Sequence, residues 1–329
     1  MRAERWGASA HPPGMQNDFV TDRGLVRTAD FLRTHSDVRD LTRAVLDGRL
    51  IKLRRGAYAD ATVWSCLDDR GRHLLLARAV ACDSAAEPVL AAHSAAAIWG
   101  MPALAFGDRV AIQERWKGGG RSAPGVRRIA AGNRSVVPER HGGHLVTSIA
   151  RTALELTRTE PFSIAVGSMD WALWERNPLR VTRENVLAEL DRLPQRFGIE
   201  RARRVLRFAT HLSDSFGESW FRALVHELGF APPVLQQPWS IEGQRYRTDY
   251  WWPQVNVVGE FDGKGKYLRS WREGDDPGEA VWREKKREDA IRTRVRTVIR
   301  PVWADLFEPG RVARALEAAG IPRLRPRRG

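Results

Sequence analysis

Asp249 and Glu260 are the residues of this chain whose types and spacing most directly suggest chemistry. Each ends or interrupts an apolar segment, Gln244–Trp252 and Asn256–Phe261, where unpaired charge is disfavoured. Pro253-Gln254 between them has turn character, which predicts a hairpin with residue 249 opposite roughly 258 or 259. Paired strands lie ~4.8 Å apart, so both carboxylates come within reach of one hard cation at ~2.0–2.1 Å. Two acids held this close repel unless a cation or a proton intervenes. Lysine use points to the same stretch. Only six of the 54 basic residues are lysine, and Lys264, Lys266, Lys285 and Lys286 gather just beyond Glu260. Lysine is a compact charge that can lose its proton when desolvated.

Several elements must position these groups. Ser215-Phe-Gly-Glu218 opens a helix through Trp220, Phe221, Leu224, Val225 and Leu228, which Gly229 closes. After the two strands come a basic helix, Arg283-Glu-Lys-Lys-Arg-Glu-Asp-Ala-Ile-Arg292, and a strand over 297–300. This order resembles the PD-(D/E)xK restriction-endonuclease-like fold and is most similar to the very-short-patch-repair endonuclease branch. The likeness spans about Ser213 to Leu306, and Glu260-Phe-Asp-Gly-Lys264, the 284–289 helix segment and Val298-Ile-Arg-Pro-Val-Trp303 are its most specific pieces. It implies that Asp249 and Glu260 bind magnesium with the Phe261 carbonyl as a further ligand, that Glu218 supports the site, and that the activity is phosphodiester hydrolysis by a magnesium-dependent endonuclease. Where the general pattern has a lysine this chain has Asp262, so the resemblance leaves Lys264 or the helix residues Lys285 and Lys286 to replace it. Alternatively the fold has kept its acids and lost its activity. Ser215 and Glu218 also have capping-box spacing, and Asp262-Gly263 is ordinary turn chemistry, so both acids have structural alternatives.

The N-terminal third predicts a second kind of chemistry. Apolar residues recur at helical spacing over Thr28–Thr34; Ser36 is placed to cap a helix with Val38, Leu41, Val45 and Leu46 on one face, and Gly48 ends it. Leu50 to Tyr58 reads as two short strands joined by a basic turn, which completes a winged helix-turn-helix layout. Arg39, Arg43, Lys52, Arg54 and Arg55 are its candidate DNA-contacting residues. Asp47-Gly-Arg-Leu-Ile-Lys-Leu-Arg-Arg-Gly-Ala-Tyr58, His93-Ser-Ala-Ala-Ala-Ile-Trp-Gly100 and Thr147-Ser-Ile-Ala-Arg-Thr-Ala-Leu154 resemble AbiEi-type antitoxins of type IV toxin–antitoxin systems. That likeness implies a DNA-binding regulator with a cognate toxin as possible partner, and it carries no catalytic residues.

Between these regions the pattern is mixed: a helix through Leu74–Ala81, short strands near Arg109–Gln113 and Val126–Ile129, and helices after Thr147, Pro161, Thr182 and Ile199. Ser94 and Thr147 read as helix N-caps, Arg151 as a surface or packing arginine and Asp170 as a helix residue. His141-Gly-Gly-His144 reads as a turn rather than half a zinc site, and Gly118-Gly-Gly120 with Arg121 as a flexible turn without the Lys-Ser/Thr of a phosphate-binding loop.

Composition bounds these readings. The 329 residues, 43% hydrophobic and 29% charged, predict a multidomain α+β or α/β chain with real cores. The expected order is a loose leader over 1–23, the winged helix over 24–62, a mixed region over 63–212, the restriction-endonuclease-like domain over 213–308, and a C-terminal helix and basic tail over 309–329. A net charge of +14 favours polyanionic partners, DNA above all. There is no apolar run of spanning length and no signal-type segment behind the N-terminal arginine, which predicts a soluble cytoplasmic protein. Cys66 and Cys82 have no metal or disulfide spacing. The leading expectation is a DNA-associated protein with a metal-dependent nuclease-like domain; the alternative is a non-catalytic antitoxin or transcriptional regulator.

Overall fold

The computed structural model describes residues 24–34, 37–84, 86–114, 124–130, 136–193, 198–263 and 277–324. The predicted leader, Ser36, the glycine turn with Arg121, Lys264, Lys266 and the extreme C-terminal tail lie outside them. The fold is mixed α+β with three sheets. It divides into two compact units: the described residues from Gly24 to Glu160 with those of Leu179–Val205 form the first, and Pro161–Pro178 with the described residues from Leu206 onward form the second.

The first unit begins with β1 (Leu25–Arg27), α1 (Thr28–Thr34), α2 (Val38–Leu46), β2 (Leu50–Arg54) and β3 (Ala57–Asp60). The strands make an antiparallel sheet in the order β1-β3-β2. Asp37, not Ser36, caps α2: its carboxylate accepts from the Arg39 N–H at 2.9 Å. Gly48, at φ +71°, turns the chain out of the helix as expected. Leu41, Ala44 and Leu50 form the core, with Val26, Phe31, Val45 and Tyr58 packed against it, so Tyr58 sits beneath the hairpin. Leu46 departs from the expected face. It is one residue, ~100° of helix, past Val45 and is 81% exposed.

Next come α3 (Ala61–Cys66), α4 (Asp69–Cys82), β4 (Val89–Leu90), α5 (Ala92–Trp99), β5 (Val110–Glu114), β6 (Val126–Ala130), β7 (Glu139–His141), β8 (His144–Val146) and α6 (Ile149–Thr157). A mixed five-stranded sheet runs β6-β5-β4-β8-β7. His141 and His144 flank the hairpin turn of β7 and β8, with Gly142 and Gly143 both at positive φ. Ser94 is not a cap. It is fully buried inside α5, bonding His73 Nε2 at 2.8 Å and accepting from the Ala111 N–H. Ser148, not Thr147, caps α6, while Thr147 is buried and bonds Thr152. Arg151 is no surface residue: its buried guanidinium pairs with Glu155 at 2.7 Å and Glu189 at 3.2 Å, because an internal charge must be matched.

The chain then leaves for α7 (Phe162–Leu173), returns for α8 (Arg183–Arg192), and passes through α9 (Ile199–Phe208) into the second unit. There follow α10 (Phe216–Glu227), β9 (Val234–Ile241), β10 (Gln244–Trp252), β11 (Val257–Gly259), α11 (Pro277–Arg292), β12 (Thr297–Ile299), α12 (Trp303–Leu306) and α13 (Pro309–Ala318). The sheet order is β12-β11-β10-β9, antiparallel except for β11 with β12. Ile241, Val258 and Ile291 form a core that fixes which side of α11 meets the sheet. Thus the second unit holds more than the expected 213–308 span, taking in α7 and α13. Asp170, read as a plain helix residue, is buried. Its carboxylate accepts from Arg222 Nη2 and the Thr210 N–H, both at 2.8 Å. Burial pushes the Asp170 carboxyl up, and the Arg222 charge pulls against that shift.

Candidate functional site

β10 and β11 pair with Tyr250 opposite Gly259 and Trp251 opposite Val258. Continuing that register by one step sets Asp249 across from Glu260 itself, closer than the predicted pairing with 258 or 259. Asp249 Oδ2 accepts from the Phe261 N–H at 2.9 Å, which ties it to the backbone beside Glu260. The Phe261 carbonyl, a suggested ligand, accepts from the Gly263 N–H at 3.1 Å. Asp262 continues the strand pairing: it bridges Val302, and its N–H donates to the Pro301 carbonyl at 2.9 Å.

Glu218 arrives from the first turn of α10. A Cβ at Gly217 would lie 2.2 Å from the Phe261 ring, so only glycine lets this turn pack against the strand end. Glu218 is 1% exposed, and its carboxylate accepts from the Asp214 N–H, Ser215 Oγ and Gln236 Nε2. Ser215 Oγ in turn accepts from the Glu218 N–H and so caps α10, while the Glu218 carboxylate takes the N–H of Asp214, one residue ahead of the cap. Tyr250 donates its hydroxyl to the Glu218 carbonyl at 2.7 Å. Burial, with the nearby charges of Glu218 and Asp249, pushes the Tyr250 phenol well above its ordinary value, so it stays a neutral donor.

Glu260 is almost wholly buried and its partner is an arginine. Arg287 donates Nη1 to Oε1 at 2.7 Å and Nη2 to Oε2 at 2.8 Å, a two-pronged pair. Arg300 Nη2 stands 3.8 Å from Glu260 and 2.9 Å from Glu288, which Arg292 also holds. The Arg292 hydrogen bond, helped by the other guanidiniums, keeps the Glu288 carboxyl below its usual range. Lys285, expected to complete the site, is exposed on α11. Ile291 points into the core, and Arg287, one turn earlier, shares its side; Lys285 is two residues, ~200°, from Arg287. Lys286 lies over the Trp282 ring at 4.9 Å.

These positions bear on the magnesium expectation. Among the described residues no three His, Cys, Asp or Glu side chains gather as a ligand set. Glu260 is engaged by Arg287, and Glu218 by its cap partners. The arrangement therefore does not fit a ready divalent-cation cradle.

Gln236 and Arg287 escaped the sequence reading. Gln236 has φ +52° within β9, where neighbouring residues are extended, and β9 pairing places it across from Asp249 while its amide reaches Glu218. Its only sequence signal is position; the helical phase set by Ile291 would have singled out Arg287.

In the first unit, Arg39 and Arg43 are largely exposed, near Asp37 at 3.9 Å and Asp40 at 3.6 Å. Lys52 and Arg55 are exposed on the hairpin. Arg54 differs from the expectation of a phosphate contact. Its half-buried guanidinium is paired with Asp83 at 3.2 Å, because the register shift between Lys52 and Arg54 rotates it off the outer face.

No helix among the described residues is long and apolar enough to cross a membrane. No family model and no solved structure matches the chain. Its similarity is to uncharacterized proteins from two strains of Mycobacterium tuberculosis, each 32% identical over 177 residues. The match covers 53% of this chain and 61% of either relative, so the chain spans less than two thirds of the curated proteins it resembles.

Proposed function

We propose that this is a DNA-associated protein whose second unit is a nuclease-like domain directed to the phosphodiester backbone at Asp249 and Glu260, where magnesium would be held only with Arg287 displaced from Glu260. The observation that carries the reading is the register that sets Asp249, inside β10, across from Glu260, the residue just past the end of β11. The net charge of +14 supplies the attraction for a polyanion. The helices α1 and α2 and the β2–β3 hairpin support a winged-helix reading, with Arg39, Arg43, Lys52 and Arg55 directed to DNA. The test is thermal unfolding with and without magnesium or manganese, alongside cleavage of plasmid and single-stranded DNA. The wild type should gain melting temperature with the metal by mass action on the folded state, and Asp249→Asn should lose both that gain and the cleavage. Cleavage surviving in both Asp249→Asn and Glu260→Gln would place the activity elsewhere.

A second reading is favoured by the neutralisation of Glu260 by Arg287 and by Asp262 at the lysine position. It makes the protein a non-catalytic regulator or antitoxin whose second unit only binds, with a toxin as partner. DNA binding without metal-induced stabilisation or cleavage would select it.

A further inference from the structure

We propose that the open face of β10, where Arg245 and Arg247 are joined by Arg176, is a track for the phosphate backbone of a nucleic acid. The inference rests on the DNA-associated reading and names where the second unit meets that backbone; it requires no metal.

Strand alternation sorts β10 into two faces. Thr248, Tyr250 and Trp252 are buried on one, while Arg245 and Arg247 stand exposed on the other with half-buried Asp249 next in line. Across β9 the register sets Ser240 opposite Arg245 and Pro238 opposite Arg247, so neither cation faces an acid on the neighbouring strand. The two cations recur every second residue, ~6.8 Å along the strand. A repeat of that kind suits a regularly charged polyanion better than the scattered carboxylates of a folded protein.

Arg176, three residues past α7, reaches the same place. Its Nη2 lies 3.2 Å from Asp214 Oδ2, the oxygen that Arg247 Nη2 also holds. Two guanidiniums on one carboxylate keep an excess of positive charge. Their side chains are 49% and 42% exposed against 21% for Asp214, so the cations face outward and the acid sits behind them. The anchor is itself fixed. Trp174 donates its indole N–H to the other Asp214 oxygen at 3.1 Å, and the Arg176 guanidinium carbon lies 5.9 Å from the centre of the Trp174 ring. Glu218 accepts from both the Asp214 N–H and Gln236 Nε2, and Gln236 lies across from Asp249. The arginine pair is thereby tied to the part of the strand that carries the acid. Guanidiniums held in place before a ligand arrives lose less freedom on binding it, and their planar forks match phosphate oxygens.

Fluorescence anisotropy of a labelled duplex, and of one labelled strand of it, tests this with the full-length protein across a salt series in a chelating buffer. Replacing Arg176, Arg245 and Arg247 together by alanine should make the slope of log affinity against log salt shallower by about 2.7 on duplex or about 2.1 on the single strand, at about 0.9 or 0.7 for each lost phosphate contact. Arg245→Ala alone leaves the Asp214 anchor intact, so it keeps the test open if the triple variant folds poorly, and should lose about 0.9 on duplex. The triple lysine variant retains the charges and should keep the wild-type slope. An unchanged slope in both alanine variants, beside a wild type that binds DNA, would overturn the track and leave the DNA-associated reading standing. A slope lost equally in the lysine variant would also overturn it, because charge would then not be what the face supplies. Displacement of the DNA by polyglutamate at an equal concentration of charge would assign the face to an acidic protein instead. A wild type without affinity for either DNA would end both readings.

Discussion

Gln236 carries a backbone cost that the other residues of β9 do not. A side-chain-bearing residue at φ +52° is held there against about 1 kcal/mol or more of strain, and such strain persists where surrounding structure imposes it. Here the strained backbone places an amide on Glu218 across from Asp249. Gln236→Gly removes both the strain and the amide. The expected outcome is a melting temperature equal to or above the wild type; a clear loss of stability would show that the amide's hydrogen bond to buried Glu218 outweighs the backbone strain. At this scale the acids were legible because charge inside apolar strand segments stands out. The matching cation was not, since the rare lysines drew attention while the helical phase that turns Arg287 inward is set by Ile291 packing on Val258. Asp170 was hidden for a related reason: nothing local announces that its partner is Arg222.

The β2–β3 hairpin separates two uses of basic residues within four positions. Lys52 and Arg55 face solvent, whereas Arg54 folds back onto Asp83. Exposed charges contribute little to stability, and each cation withdrawn from a phosphate lowers the slope of log affinity against log salt by about 0.9. Replacing Lys52 and Arg55 by alanine should therefore weaken DNA binding, measured by fluorescence anisotropy across a salt series, without changing the melting temperature. Arg54→Ala should lower the melting temperature with little change in salt slope. The opposite pattern would remove the hairpin from the DNA interface. Elements were the most readable level: α1 spans the predicted residues, and turns fell at Gly48, Arg55-Gly56 and the 141–144 hairpin. What slipped were neighbours of caps. Polar side chains beside a helix start satisfy either the helix or the core, and Ser94 and Thr147 serve the core.

At the scale of the molecule, the chain visits the second unit early through α7, goes back for α8, and then returns for good. Helical periodicity says that α7 exists, not which core receives it, so the expected boundary near 213 left it out. A fragment beginning at Leu206 would lack α7 and leave Arg222 facing the place of Asp170 with its charge unmatched. Such a fragment should lack a cooperative thermal transition, and joining residues 161–178 to it by a short glycine-serine linker should restore one; cooperative unfolding of the shorter piece would show that α7 is dispensable. The same visit sets an order in time as the protein is made. Asp170 leaves the ribosome 52 residues ahead of Arg222, which at ordinary rates of synthesis is a wait of roughly 3–10 s. Throughout that interval the Phe162–Leu173 segment, largely apolar, is without the partners it has in the folded unit. Asp170, its one charged side chain, needs no match while it is in water and acquires one in Arg222 only on burial.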